Sequence, residues 1–325
     1  MAKPSFRMFD YRVRPAKSAE RRMLSEAFRR LSFFEPVENY RYVGFGSTTF
    51  TDFILFHKTL NIKQMISIEK RDAHESRFEF NKPFHCIDIE YGGSNEILPK
   101  LRWDSRTITW LDYDGRLTES VLQDVAYVSA NSVSGNILAV TVNSNSYSPP
   151  NSSAPDKEIM EYRLQQFRND VGDDKVPGDI KGKDLEGETM AVTCHRLVEN
   201  EIKQALRDRN GLRLPEQKIS YQPLFNFIYQ DGVKMLTVGG IFCEVGDAEI
   251  LERCQFEKLD YCNLQNQPYK INVPIMTPRE RHYLDQRLPE GTTSEGKSIG
   301  LTENEISNYV RLYRYCPSFA EVEMS

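Results

Sequence analysis

Five β-prone runs in this chain end in residues that can do chemistry. The endings are VGFGS at 43–47, IEKR at 68–71, YGGS at 91–94, LDYDG at 111–115 and VNSNS at 142–146. Four of the five are rich in glycine or polar groups, as a ligand crevice requires. Gly44 and Gly46 lie one residue apart, after a β-prone run and before a helix-like stretch. That placement suits either a cofactor loop or a tight turn. Glu69, Asp112 and Asp114 are carboxylates at the ends of such runs, where they can accept hydrogen bonds from a ligand or take a proton. Other chemistries are excluded. No GxSxG elbow and no Ser-His-Asp arrangement can be read, and there is no GxxxxGK[ST] phosphate loop. His57 lies on an apolar helix face and reads as a structural histidine, while His195 and His282 have no local partner pattern.

The elements that must position these residues alternate. A helix is expected over 18–32, capped by Ser18, with Glu20 in its first turn and Leu24, Phe28 and Leu31 as its apolar stripe. Strand then alternates with helix five times, from NYRYVGFGS to GNILAVTVNSN. Parallel strands need such crossovers, and right-handed crossovers give a doubly wound α/β sheet whose ligands sit at the carboxyl ends of the strands. Residues 145–190 break the pattern with Ser-, Asn- and Pro-rich runs, which read either as a substrate lid or as a mobile surface insertion. Two β-rich runs around Asp231-Gly232 then form a hairpin, so the sheet is expected to end in an antiparallel pair.

A mainly parallel, seven-stranded sheet closing in an antiparallel hairpin resembles the class I S-adenosylmethionine-dependent methyltransferases, with their Rossmann-like fold. The resemblance covers about residues 38–245. It implies S-adenosylmethionine as cofactor and methyl transfer, with oxygen the expected acceptor atom. The loop Gly44, Phe45, Gly46, Ser47 matches the glycine loop near the methionine part of the cofactor. Glu69, followed by Lys70, matches the acid that accepts from both ribose hydroxyls. Gly92, Gly93 and Ser94 resemble the adenine end in small-molecule O-methyltransferases. Asp112 and Asp114 fall where that group keeps an LD-x-D motif near the sulfonium and the acceptor. The implied cofactor residues are therefore Gly44, Phe45, Gly46, Ser47, Glu69, Lys70, Gly92, Ser94 and Asp112, and the implied catalytic residues are Asp112, Asp114 and Asn143. The chain departs from the pattern in several places. Thr48 replaces the usual third glycine, Tyr42 the usual acid before the loop, and Gly93 an aspartate that often binds the adenine amino group. TVNSN keeps Asn143 but lacks the aspartate of metal-dependent relatives, so no metal is expected.

The 325 residues suffice for one large α/β domain with elaborations. The expected division is a basic helical segment at 1–37, a methyltransferase-like domain at 38–245 carrying the 145–190 insertion, and a C-terminal extension at 246–325. The net charge of −5 rules out a wholly basic nucleic-acid binder. Residues 1–30, however, carry nine Lys or Arg against three acids. That excess reads either as a phosphate or nucleic-acid contact or as a solvated helix face beside acidic neighbours. The six cysteines lack metal-site spacing, and neither a membrane span nor the apolar stretch of a signal peptide is found, so the expected compartment is the cytoplasm. Two rivals stand beside the enzyme. One is a methyltransferase-like scaffold without activity, working in a larger assembly. The other is a nicotinamide oxidoreductase, which the terminal hairpin and the missing third glycine disfavour.

Overall fold

A computed structural model describes residues 14–70, 75–149, 151, 153–211, 213–262, 267–289 and 294–317. The chain begins with α1 (Pro15–Arg29) and then alternates β1 (Arg41–Gly44), α2 (Thr51–Leu60), β2 (Gln64–Glu69), α3 (Glu75–Asn81), β3 (Ile87–Tyr91) and α4 (Ser94–Ile97). There follow β4 (Thr107–Arg116), α5 (Glu119–Asn131), β5 (Ile137–Asn143), α6 (Asp156–Val171) and α7 (Gly187–Asn210). The hairpin β6 (Ile219–Asp231) and β7 (Val233–Glu244) precedes α8 (Ala248–Arg253), β8 (Tyr269–Ile271), α9 (Pro278–Asp285) and α10 (Glu303–Leu312).

The sheet order is β3-β2-β1-β4-β5-β7-β6-β8. β1 to β5 pair in parallel, and β7 runs antiparallel to both β5 and β6. The order reverses between β1 and β4, which opens a crevice at their carboxyl ends. This is the Rossmann-like methyltransferase arrangement with one addition. The expected seven strands are eight, because the three-residue β8 pairs in parallel with β6 at the sheet edge. Pro223 in β6 falls at a register shift, where its missing N–H costs the ladder least.

Strand alternation divides the core in two. Tyr42, Ile108, Trp110 and Ala139 face α1, α2, α9 and α10. Val43, Leu111, Leu138 and Val140 face α5, α6 and α7. α1 is not an appendage: Met23, Leu24, Ala27 and Phe28 are wholly buried, and Phe28 meets the Phe56 ring edge-on at 5.3 Å. It begins at Pro15, three residues before the expected Ser18. Proline suits the first helical position, and no side chain of the preceding Arg14 caps the helix. Its free N–H groups are satisfied from across the fold, with Ala16 and Lys17 donating to the Asp231 carboxylate at 3.2 and 2.9 Å. Glu20, expected to face the helix dipole, is buried instead.

The 145–190 insertion is also packed. Phe167, Val171, Ile180 and Leu185 join the second core, and the Tyr147 hydroxyl donates to Asp170 at 2.6 Å. Among the described residues no helix is long and apolar enough to cross a membrane.

Candidate functional site

β1 delivers Gly44 to the crevice, and the loop after it turns sharply, with Ser47 and Phe50 both in left-handed backbone conformations (φ 52° and 47°). The loop is closely packed. A Cβ on Gly46 would lie 2.5 Å from the Phe50 ring and 2.6 Å from Ser67 Oγ, so only glycine fits. The N–H groups of Gly46 and Ser47, which the resemblance offers to a ligand carboxylate, point inward. Gly46 donates to Ser67 Oγ and Ser47 to Glu69 Oε1, both at 2.9 Å.

Glu69 ends β2 with its carboxyl buried beside this loop. Ser67 Oγ also donates to Oε1, at 2.8 Å. Strand period two puts Ser67 and Glu69 on one face, a signal the sequence carried unread. Burial pushes the Glu69 carboxyl up to about 7, against the pull of Ser67 and the loop N–H groups, and the Asp52 charge adds to the rise. The hydrogen bonds from Ser47 N–H and Ser67 Oγ both fall on Oε1, and the buried Ser47 Oγ beside it has no partner. An unsatisfied hydroxyl thus sits at the loop beside the carboxyl, a fit for a ligand that brings hydroxyls. Lys70, next in sequence, is exposed.

Tyr42, standing where the related enzymes keep an acid, donates its hydroxyl to Asp52 in the first turn of α2. Both are buried, and burial raises both pKa values above their ordinary ranges. After burial, the nearby Asp112 charge adds to the rise at Asp52, as the Asp52 charge does to that at Glu69.

At the far side, Gly92 N donates to the Glu69 carbonyl at 2.9 Å, and Gly93 leads into α4. Ser94 Oγ and the Tyr113 hydroxyl converge on Asp124 Oδ2 at 2.5 and 2.6 Å. Phe45 packs edge-on against Tyr113, centroids 5.0 Å apart. Neither Tyr113 nor Asp124 had a local signal that marked it for the site.

Asp112 and Asp114 are strand residues rather than turn residues, because β4 runs on to Arg116. Asp112 Oδ1 lies 2.6 Å from Lys17 Nζ, and Asp114 is exposed two residues on. Asn143 closes β5, its Oδ1 accepting from Asn145 N at 2.9 Å, a turn-forming role. The basic residues from Arg14 to Arg30 are largely committed inside the fold. Lys17 and Arg21 are buried, while Arg22, Arg29 and Arg30 donate to the carbonyls of Cys316, Thr59 and Cys254. Lys3, Arg7 and Arg12 lie outside the described residues. All six cysteines are unpaired, and among the described residues no cluster of His, Cys, Asp and Glu could hold a metal ion.

No curated protein matches the chain. Among solved structures, it is similar to Trm1 from Pyrococcus horikoshii in complex with S-adenosyl-L-methionine, at 12% identity and a TM-score of 0.42. That match covers 70% of this chain and 57% of the other, so the chain spans little more than half of that protein. It is also similar to the O-methyltransferase TomG from Streptomyces achromogenes, involved in tomaymycin synthesis and solved with S-adenosylmethionine. That likeness has 12% identity, covers 67% of this chain and 89% of the other, and has a TM-score of 0.34. Spermidine synthase from Thermotoga maritima matches at 11% identity over 76% and 68% of the two chains, with a TM-score of 0.36. The model of a family described as "Putative O-methyltransferase" matches residues 9–324, nearly the whole length, and the chain belongs to that family.

Proposed function

We propose that the protein is an S-adenosylmethionine-dependent O-methyltransferase. The observation that carries this reading is Glu69: a buried carboxyl at the end of β2, braced on Oε1 by the glycine loop and Ser67, next to the unsatisfied Ser47 hydroxyl. A carboxylate so placed suits the paired hydroxyls of a ribose. S-adenosylmethionine, when bound, supplies a methyl group activated on a sulfonium. The residues suited to hold it are Glu69, Phe45 and the Ser47 hydroxyl, with Ser94 and Tyr113 at the other side and Gly46 shaping the loop.

Asp112 is tied to a lysine, which suits it to fixed electrostatic work rather than to proton removal. Asp114, exposed and further along the same strand, is the better base for an acceptor hydroxyl, which is weakly nucleophilic until its proton is taken. The six unpaired thiols support a reducing compartment, and we place the protein in the cytosol.

Calorimetric titration with S-adenosylmethionine, S-adenosylhomocysteine and NAD tests the reading. The first two should bind and NAD should not, and Glu69→Ala should lose both. A chain that binds none of them is better described as a methyltransferase-like scaffold.

A further inference from the structure

Lys17 has no solvent exposure, yet its ammonium sits between two carboxyls, 2.6 Å from Asp112 and 2.8 Å from Glu20. It also lies over the Trp110 ring at 4.3 Å. The charge is set in a wider polar chain. Thr237 donates to Glu20 and shares a 2.7 Å hydrogen bond with Thr141, which takes the Trp110 indole N–H at 3.0 Å. Removing a lysine from water costs several kcal/mol, and an apolar side chain of similar volume generally serves a core as well or better. Stability alone is therefore a poor reason for this residue. Its placement is a better one. α1 is anchored by Asp231 at the hairpin turn, on the rim where β5 ends, because Asn143 pairs with Met235. Asp112, at the same rim, is bound by Lys17 through Oδ1 only, and its side chain keeps 22% of its exposure.

We propose that Lys17 is a positioning residue of the site: α1 delivers its ammonium to fix the Asp112 carboxylate, leaving Oδ2 turned to the ligand's positive centre. This rests on the cofactor reading above, because the positive centre meant is the sulfonium. The neutral thioether product lacks that charge. A correctly held Asp112 should therefore favour S-adenosylmethionine over S-adenosylhomocysteine, whereas a purely structural lysine would affect both alike.

The experiment measures both dissociation constants by calorimetry, with thermal melts alongside, for the wild-type chain, Lys17→Arg and the double variant Lys17→Met/Glu20→Gln. The double variant removes both buried charges together, so it should melt near the wild type. It should lose about tenfold in S-adenosylmethionine affinity and less than about twofold in S-adenosylhomocysteine affinity. Lys17→Arg should restore most of the difference. Equal losses, unchanged affinities, a stronger preference for the sulfonium, or an unfolded double variant would each overturn the proposal. A wild-type chain that binds neither ligand would instead remove the cofactor reading, and this inference with it.

Discussion

Glu69 is held in a position that opposes its own charge. Its folded pKa of about 7 lies above the ordinary glutamate value, so between about pH 4.5 and 7 the folded state holds more protons than the unfolded one. Stability therefore falls as pH rises through that window, and the penalty is complete above it. Glu69→Gln keeps the acceptor for Ser47 N–H and Ser67 Oγ but removes the charge. The variant should be more stable than the wild type by roughly 1–3 kcal/mol at pH 8, and the gain should vanish near pH 4.5. Urea unfolding at the two pH values checks this. Ligand affinity should move the other way. Ribose hydroxyls are donors and need the ionised acid, so wild-type affinity for S-adenosylhomocysteine should rise with pH and level off above about 7. The place of Glu69 at the end of β2 was legible in the sequence because a lone acid at a strand end is a local pattern. Ser67 and Asp52 were not: a serine in a strand and an aspartate in a helix carry no signature until the fold brings them together. The bond from Asp112 to Lys17 joins positions 95 residues apart, beyond any local reading.

At the scale of elements, the glycine loop and α1 do the positioning. Gly46→Ala would drive a methyl group into Phe50 and Ser67, and Ser67 braces Glu69. The variant should lose about 1–3 kcal/mol of stability and bind S-adenosylhomocysteine at least about tenfold more weakly. Denaturant melts and calorimetry measure the two effects. Asp231→Ala removes the acceptor for two N–H groups at the start of α1 and should cost about 1 kcal/mol, a helix cap supplied from a distant turn. The Asp231-Gly232 hairpin itself was readable, since Asp-Gly between β-rich runs is a local turn signal. That its aspartate would cap a helix more than 200 residues earlier was not. Ser18 misled for a related reason: serine is a good cap, but Pro15 had already started the helix.

The described residues form one wound sheet with a core on each face, and the alternation of strand with helix along the chain foretold the winding. The insertion shows where such reading fails. Its polar composition pointed to a lid or a loose surface, because the buried apolar residues, Phe167, Val171, Ile180 and Leu185 among them, are diluted among many exposed ones. Phe167→Ala should cost about 3–5 kcal/mol, a core-sized loss, whereas a loose insertion would give almost none. Chemical denaturation distinguishes the two. β8 escaped notice because three residues give too short a pattern to separate strand from loop.

The most direct measurement is a crystal structure of the chain with S-adenosylhomocysteine. The account predicts the nucleoside over the carboxyl ends of β1, β2 and β4, with a ribose hydroxyl within hydrogen-bond reach of Glu69 Oε2. A ligand bound elsewhere, or a ribose facing away from Glu69, would contradict it.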